Sequence, residues 1–384
     1  MRVLIVSDTL SPRYGWGRYA IDLIRALRRQ DVDITLLSPK ARCEPEDLRD
    51  LPDHHNVTSF VSETRRLPRL VAANALRIRR ALARCDAVHC VMEPYAIPSA
   101  FVAGSKPLLV SLHGTYAVRP FTRWQERPWY ELAYRRADRL LPVSHFTRSL
   151  LPRRFQGAKT QVVPDCVDLD RFTLPAGKTP RRDSPPYLLS VGPFKRRKGY
   201  HVSIEAFARV HEQRPDVQYW IVGGIDDHAL KAELQARIEV LGLQDSVRFL
   251  GRVDEDELVH LYRGCAAFWL LPVLDDLQFE AFGLVYWEAN ACGRPVIGTT
   301  GSGAAEAIED GVNGFLVPPN DPPAAAAAAL RLINDPALAD HMGTVGRARV
   351  KPWDHAAQLV VGHYQDTVAG KGPKLGTSLA AERA

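Results

Sequence analysis

The residues best suited to chemistry stand in one stretch, Phe279-Glu280-Ala281-Phe282-Gly283-Leu284-Val285-Tyr286-Trp287-Glu288. Two carboxylates flank a glycine at a point where a loop should turn into a helix. A helix opening at Gly283 leaves its first N–H groups free, and with the helix dipole these make a site for an anion such as a phosphate. Glu280 then sits just outside the helix, where a sugar can project. Glu288 lies just over a turn inside it and can accept hydroxyl protons from a ribose, as acids do in dinucleotide folds. The competing reading of the stretch alone is a solvated helix with incidental glutamates.

Other candidates are weaker on their own. His113 follows the strand-like run Val110-Ser111-Leu112 and precedes Gly114, which puts it at a strand's carboxyl end, where ligands gather in parallel α/β sheets. Gly15-Trp16-Gly17-Arg18-Tyr19-Ala20 has the form of a dinucleotide fingerprint. In a true fingerprint the first glycine follows the strand at once, but here Asp8 to Tyr14 intervene. The next strand also ends in Ser38-Pro39 rather than an acid, so NAD binding is not expected. The six cysteines show no CxxC pair and no neighbouring histidine cluster. They read as reduced thiols in a cytoplasmic protein, with no metal site.

These residues need elements to position them. Short β-branched runs alternate with amphipathic stretches, which predicts βα units around parallel sheets. In the first half strands are expected at Arg2–Ser7, Asp33–Ser38, Val57–Phe60, Ala87–Val91, Leu108–Leu112, Arg139–Val143 and Thr160–Val163, with helices at Gly17–Arg29, Pro68–Arg84 and Phe146–Phe155. The breaker-rich segment 175–186 is the expected linker. Beyond it the rhythm restarts, with strands at Tyr187–Val191, Gln218–Val222, Val247–Leu250, Ala267–Leu271, Pro295–Gly298 and Gly314–Val317. A chain of 384 residues suits two doubly wound α/β domains facing a cleft. The expected division is 1–180 and 181–351, with a terminal helix 352–369 free to pack back on the first domain and an unstructured tail over 370–384. No apolar run reaches the roughly 20 residues of a membrane span.

The formal net charge of +6 is unevenly placed. The chain through Asp183 is basic and the remainder is net acidic, so the first half should meet something anionic. Two stretches carry this excess. Arg65, Arg66, Arg69, Arg77, Arg79, Arg80 and Arg84 line an apolar helix, and Arg119, Arg123, Arg127, Arg135 and Arg136 interleave with Phe121, Trp124, Trp129, Tyr130 and Tyr134. Basic amphipathic helices with aromatics suit peripheral contact with an anionic membrane. No recognition fold or RNA-type motif accompanies them, so nucleic acid is not an expected partner.

The stretch from Glu280 to Glu288 resembles the Glu-x7-Glu signature of retaining glycosyltransferases of the GT-B type, family 4. The resemblance continues through Ala291-Cys-Gly-Arg-Pro-Val-Ile-Gly298, Gly301-Ser-Gly-Ala-Ala-Glu306 and Asp310-Gly-Val-Asn-Gly-Phe-Leu-Val317. Upstream it includes Leu189-Ser-Val-Gly192, Lys198-Gly199, Ile221-Val-Gly-Gly224 and Phe249-Leu-Gly251, and in the first half Gly15-x-Gly17, His113-Gly114, Ala137-Asp138 and Val143-Ser144. It implies two Rossmann-like domains and transfer of a hexose-type sugar from a nucleotide-diphosphate sugar, which is a co-substrate rather than a cofactor. The acceptor would be a carbohydrate, a lipid-linked species or a small molecule.

The resemblance also implies roles. Glu280 would bond hydroxyls of the transferred sugar, and the backbone at Ala281, Phe282, Gly283 and Leu284 would hold that sugar and the distal phosphate. Glu288 would bind the ribose. Lys198 would neutralise the departing diphosphate, with Gly192 and Gly224 lining the donor site. His113 would lie beside the sugar, and a Gly15-x-Gly17 loop would close over the diphosphate. Such cations and N–H groups stabilise a leaving group without a metal, so no metal requirement is expected, and a same-face attack is favoured over a covalent intermediate. Two positions depart from the family pattern. Pro193 stands where an arginine usually follows the glycine, leaving Arg196 or Arg197 as substitutes, and Asp165-Cys166 replaces Asn-Gly. The rival readings are a GT-B nucleotide-sugar epimerase and a non-catalytic protein that binds nucleotide sugar or supports a partner.

Overall fold

The structure is a computed structural model that describes residues 1–11, 15–39, 42–43, 54–59, 67–172, 185–224 and 227–370. The chain forms two compact units, one of Met1–Asp165 with the chain from Trp353, the other of Cys166–Pro352. The first division thus falls ahead of the expected 180/181. The reason is local: Val167 donates its N–H to the Lys351 carbonyl, and the Cys292 thiol donates to the Phe172 carbonyl. Segment 166–172 is thereby tied into the second unit. Most of the expected linker (175–184), Arg65, Arg66 and the tail beyond Gly370 lie outside the described residues.

The first unit is built on a parallel sheet of β1 (Arg2–Val6), β2 (Asp33–Ser38), β3 (His54–Asn56), β4 (Ala87–Cys90), β5 (Leu108–Leu112) and β6 (Arg139–Pro142), in the order β3-β2-β1-β4-β5-β6. Val3 to Val6 and all of β4 and β5 are buried, as expected of parallel strands covered by helices on both faces. Two expected strands differ. Residues from Val57 do not extend the sheet, because the Asn74 side chain takes both the N–H and the carbonyl of Thr58. The edge strand is His54–Asn56 instead, and Phe60 lies outside the described residues. Thr160–Val163 runs beside β6 and donates from Gln161 and Val163. It forms only one isolated bridge, since Pro142 has no N–H to return a bond and Pro164 ends the run.

The terminal helix Trp353–Val368 belongs to this unit. Its buried residues Trp353, Ala356, Ala357, Val360 and Tyr364 recur at helical spacing and form one apolar stripe. Asp354 pairs with Arg29 at 2.9 Å, and the Tyr364 hydroxyl lies 2.6 Å from His89 Nδ1 on β4.

The second unit repeats the plan with β7 (Tyr187–Val191), β8 (Gln218–Val222), β9 (Val247–Gly251), β10 (Ala267–Trp269), β11 (Val296–Thr299) and β12 (Gly314–Val317), ordered β12-β11-β10-β7-β8-β9. Numbered within the unit, this is the same order as in the first. Several of its helices start at side-chain caps: Asp227 accepts from Leu230 N–H, Asp254 from Glu257 and Asp321 from Ala324, which satisfies donors that a helix start leaves open. The helix Pro336–Arg349, capped by Asp335, was not anticipated from the hydrophobic rhythm. Strand order reverses between β1 and β4, and again between β7 and β10. In sheets of this kind the crevice at such a switch point, beyond the strands' carboxyl ends, is where ligands bind.

Candidate active site

The loops leaving β7 and β10 meet at the second unit's switch point. Gly199, at φ 71°, packs so closely that a Cβ there would lie 1.7 Å from the Leu271 carbonyl oxygen. The Val273 N–H donates to the Arg197 carbonyl at 2.9 Å. These contacts hold the short helical turn Arg196–Lys198 against the segment that carries Glu280. The Lys198 ammonium donates to Glu280 Oε2 at 2.7 Å, and the Arg197 guanidinium donates to the same oxygen at 2.7 Å. Lys198 and Glu280 are both buried. Burial by itself would raise the Glu280 carboxyl, but the Lys198 and Arg197 charges outweigh it and hold the group at about 2. Burial lowers the Lys198 ammonium despite the attraction of Glu280.

The neighbouring glycines differ in their settings. Gly192 follows β7 at φ 154°, with its carbonyl accepting from the Tyr200 hydroxyl at 2.7 Å. A Cβ on Gly224 would meet the Arg252 guanidinium at 2.5 Å. Arg196, one of the two expected substitutes for the missing arginine, instead grips Glu233 at 2.7 and 2.8 Å. Arg197 is the one brought to Glu280.

After Glu280 the backbone is fixed from outside the helix. The Glu280 carbonyl accepts the Gly303 N–H at 2.8 Å, and Gly303 lies directly against the Ala281 carbonyl. Phe282 is buried edge-on to Trp287. Gly283 then takes φ 83° and caps the helix Leu284–Ala291, where a Cβ would sit 2.5 Å from the Tyr286 ring. The helix starts where the spacing predicted, so its first N–H groups from Leu284 have no partner within it. Glu288, half-buried one turn on, accepts the Tyr262 hydroxyl on Oε2 at 2.7 Å. Tyr262 was not singled out from the sequence, because nothing in its spacing links it to Glu288.

In the first unit His113 stands at the carboxyl end of β5. Its Nε2 lies 3.0 Å from the Val91 carbonyl, its backbone N–H donates to Glu93 Oε1 at 2.6 Å, and the Tyr19 ring lies edge-on at 4.2 Å. Burial keeps the imidazole neutral, with its pKa lowered to about 4. Gly15-x-Gly17, expected as a loop, is the first turn of the helix Gly15–Arg29. Gly17 lies directly against the Ser11 backbone, where a Cβ would come within 2.1 Å of a carbonyl oxygen, whereas Gly15 faces open space. Glu93 was also missed. The signal available was a lone acid just past the apolar strand β4.

The two basic stretches differ. On the helix Leu67–Leu82 the apolar residues Leu70, Val71, Ile78 and Leu82 are core, whereas Leu76, 52% exposed, lies open beside the arginines. Around the helix Arg127–Arg136, Tyr130 and Tyr134 are also core, and Glu131 pairs with Arg135 and Arg154. Trp124, however, is 81% exposed.

A doubly wound unit with a cation-bound carboxylate and a free helix start at its switch point, preceded by a second unit of the same topology, defines a GT-B glycosyltransferase. The family profile "Glycosyltransferase Family 4" matches residues 14–171, and "Glycosyl transferases group 1" matches residues 176–349. Together they span most of the chain, which belongs to this glycosyltransferase family and is an enzyme of nucleotide-sugar chemistry. Among curated relatives, a GDP-mannose-dependent alpha-(1-6)-phosphatidylinositol monomannoside mannosyltransferase of Mycolicibacterium smegmatis is 28% identical over 90% of this chain and 92% of its own length. A D-inositol 3-phosphate glycosyltransferase of Streptomyces avermitilis is 32% identical over 59% of this chain, which spans 52% of that protein. Among solved structures, Anabaena HepE in complex with UDP and glucose superposes with a TM-score of 0.76 at 20% identity, over 95% of this chain and 99% of that one. Sucrose-phosphate synthase from Thermosynechococcus elongatus reaches 0.75 at 22% identity, over 96% and 100%.

Proposed function

We propose that this enzyme is a retaining, metal-independent hexosyltransferase that uses GDP-mannose and an anionic acceptor, a lipid-linked glycan or a sugar phosphate. The observation that carries the reading is Glu280 shared by Lys198 and Arg197 beside the helix start at Gly283. A buried Lys198 and a half-buried Arg197 face one carboxylate, so the cluster keeps an excess positive charge suited to a diphosphate. When the diphosphate takes those cations, Glu280 is released to bond hydroxyls of the sugar. Glu288 then holds the ribose, and Lys198 with Arg197 balances the charge that grows on the leaving group. No carboxylate is assigned as a nucleophile; the leaving phosphate assists deprotonation of the acceptor hydroxyl on the same face. His113 contacts the sugar as a neutral imidazole.

The donor choice is supported by the relative whose name specifies GDP-mannose, and the acceptor class by the phosphatidylinositol and inositol phosphate in the names of both relatives. Exposed Trp124, with Arg123 and Arg127 beside it in sequence, supports peripheral contact with anionic headgroups on a cytoplasmic membrane face. Loss of vesicle sedimentation in Trp124→Ala would support that contact, and unchanged sedimentation would remove it.

The decisive assay incubates the enzyme with GDP-mannose, UDP-glucose or UDP-N-acetylglucosamine, each with phosphatidylinositol mannoside or inositol phosphate, with and without EDTA. The expected result is GDP release and an α-linked product in EDTA. A β-linked product, or turnover that needs added metal, would refute the mechanism. Donor binding without turnover on any acceptor would favour the non-catalytic reading.

A further inference from the structure

We propose that Glu93 is a positioning residue that fixes His113 at the carboxyl edge of the first unit's sheet, and that its side chain is retained for this purpose. The proposal rests on the sugar-contacting role given to His113 above.

Glu93 follows β4 after Val91-Met92 and is fully buried. Its Oε1 accepts the His113 backbone N–H at 2.6 Å, while Oε2 has no hydrogen-bond partner among the described residues. Burying a carboxyl with one oxygen unbonded is costly, so packing alone does not account for an acid here. Two residues earlier, the Val91 carbonyl lies 3.0 Å from His113 Nε2. A carbonyl can only accept, so Nε2 carries the proton and Nδ1 is left as the acceptor. Val91 to Glu93 therefore grip His113 at both its ring and its backbone. Tyr19 closes a third side, with its hydroxyl 3.0 Å from Ser111 Oγ. Gly114, next in the chain, takes φ 111° and ψ −117°, a conformation open essentially to glycine alone. A backbone turned so sharply has lost its strand partner, and the Glu93 carboxyl replaces it.

The titratable groups that face Glu93 are His113 just after β5, Tyr116 beyond it, and Tyr130 and Tyr134 on the helix Arg127–Arg136. Burial raises the Glu93 carboxyl to about 7 and lowers His113 to about 4. Burial also raises all three tyrosines. Glu93 is thus the member of this cluster that changes charge near neutrality, and its ionisation strengthens the bond to the His113 N–H.

The test uses the full chain and two readouts. In Glu93→Gln the acceptor remains, and kcat should stay within about threefold of wild type; in Glu93→Leu it is lost, and kcat should fall about tenfold or more through misplacement of His113. The donor KM should change less than about twofold in both, because the residues given to the nucleoside diphosphate (Lys198, Arg197, Glu288 and the helix start at Gly283) lie on other elements. In ¹⁵N-histidine-labelled protein, the His113 amide proton should shift with a midpoint of about 7 in wild type and stay flat in Glu93→Gln. Wild-type kcat in Glu93→Leu, or an amide that does not titrate, overturns the proposal. If Glu93→Leu does not fold, the amide titration decides alone. Full activity in His113→Ala would instead overturn the role of His113, and the amide titration would still report whether Glu93 holds it.

Discussion

Replacing Glu280 by glutamine should cost the second unit much of its stability while sparing its affinity for nucleoside diphosphate. The residue is only 8% exposed, so solvent screens its ion pairs weakly. Held at about 2 instead of 4.5 by Lys198 and Arg197 against the opposing effect of burial, the carboxylate contributes about 3 kcal/mol to folding. That contribution is present above pH 4.5 and is lost as the pH falls towards 2. Breaking a buried ion pair by removing one partner costs a similar ~3–5 kcal/mol. For a unit of this size the loss corresponds to a fall of roughly 6–12 °C in its melting temperature.

Calorimetry of the full chain at pH 7 measures that fall, and a repeat at lower pH shows whether the variant loses the acid-dependent part of the second unit's stability. The diphosphate affinity should hold, because glutamine carries no charge to compete for the two cations, whereas turnover should collapse. A variant that melts within a degree or two of wild type at pH 7 would refute the view that this ion cluster stabilises the unit.

Three further outcomes follow from the geometry. Glu288→Ala should weaken nucleoside diphosphate binding by about 1.5–3 kcal/mol in titration calorimetry, the usual worth of a hydrogen bond to a charged group; unchanged affinity would remove Glu288 from the donor site. Gly283→Ala, at φ 83° with a Cβ 2.5 Å from the Tyr286 ring, should lose about 1–3 kcal/mol, measurably more than Gly242→Ala at φ 67° in open space; equal losses would show that the contact with Tyr286 relaxes. His89 and His113, lowered by burial to about 3 and about 4, should destabilise the first unit as the pH falls from 6.5 towards those values. Glu93, raised to about 7, acts in the opposite sense, reducing stability as the pH rises from 4.5 to 7, so His89→Gln should flatten the acid limb of unfolding.

Much of this arrangement was legible because the determinants are local. A parallel strand buried on both faces must be apolar throughout, and eleven of the thirteen expected strands coincide with observed ones to within two residues at each end. Glu280, Gly283 and Glu288 were legible for the same reason: one helix start fixes all three. What could not be read depends on partners distant in sequence. No spacing rule says that Asn74 will take the backbone of Thr58 from the sheet, that Glu233 will draw Arg196 aside, or that segment 166–172 will be held by Lys351 and Cys292. At Gly15-x-Gly17 the resemblance implied a loop, whereas the hydrophobic pattern opened a helix at Gly17; the helix is what forms, with Gly17 packing its first turn closely on Ser11.

Whole-domain charge proved a poor guide to the chemistry of the sites. Part of the basic excess of the first half lies on exposed arginines of the helices Leu67–Leu82 and Arg127–Arg136. At its switch point that unit instead buries two acids, Asp8 paired with Arg42 at 2.7 Å and Glu93 bonded to His113, beside a neutral imidazole. The acidic second half concentrates Lys198 and Arg197 at its own. The same strand order therefore carries opposite equipment: one crevice suits an anion, whereas the other offers acceptors and a neutral ring suited to hydroxyl groups. Exchanging the charge at either crevice should be far more damaging than changing the surface arginines, because each buried charge there has few partners and little water to replace them.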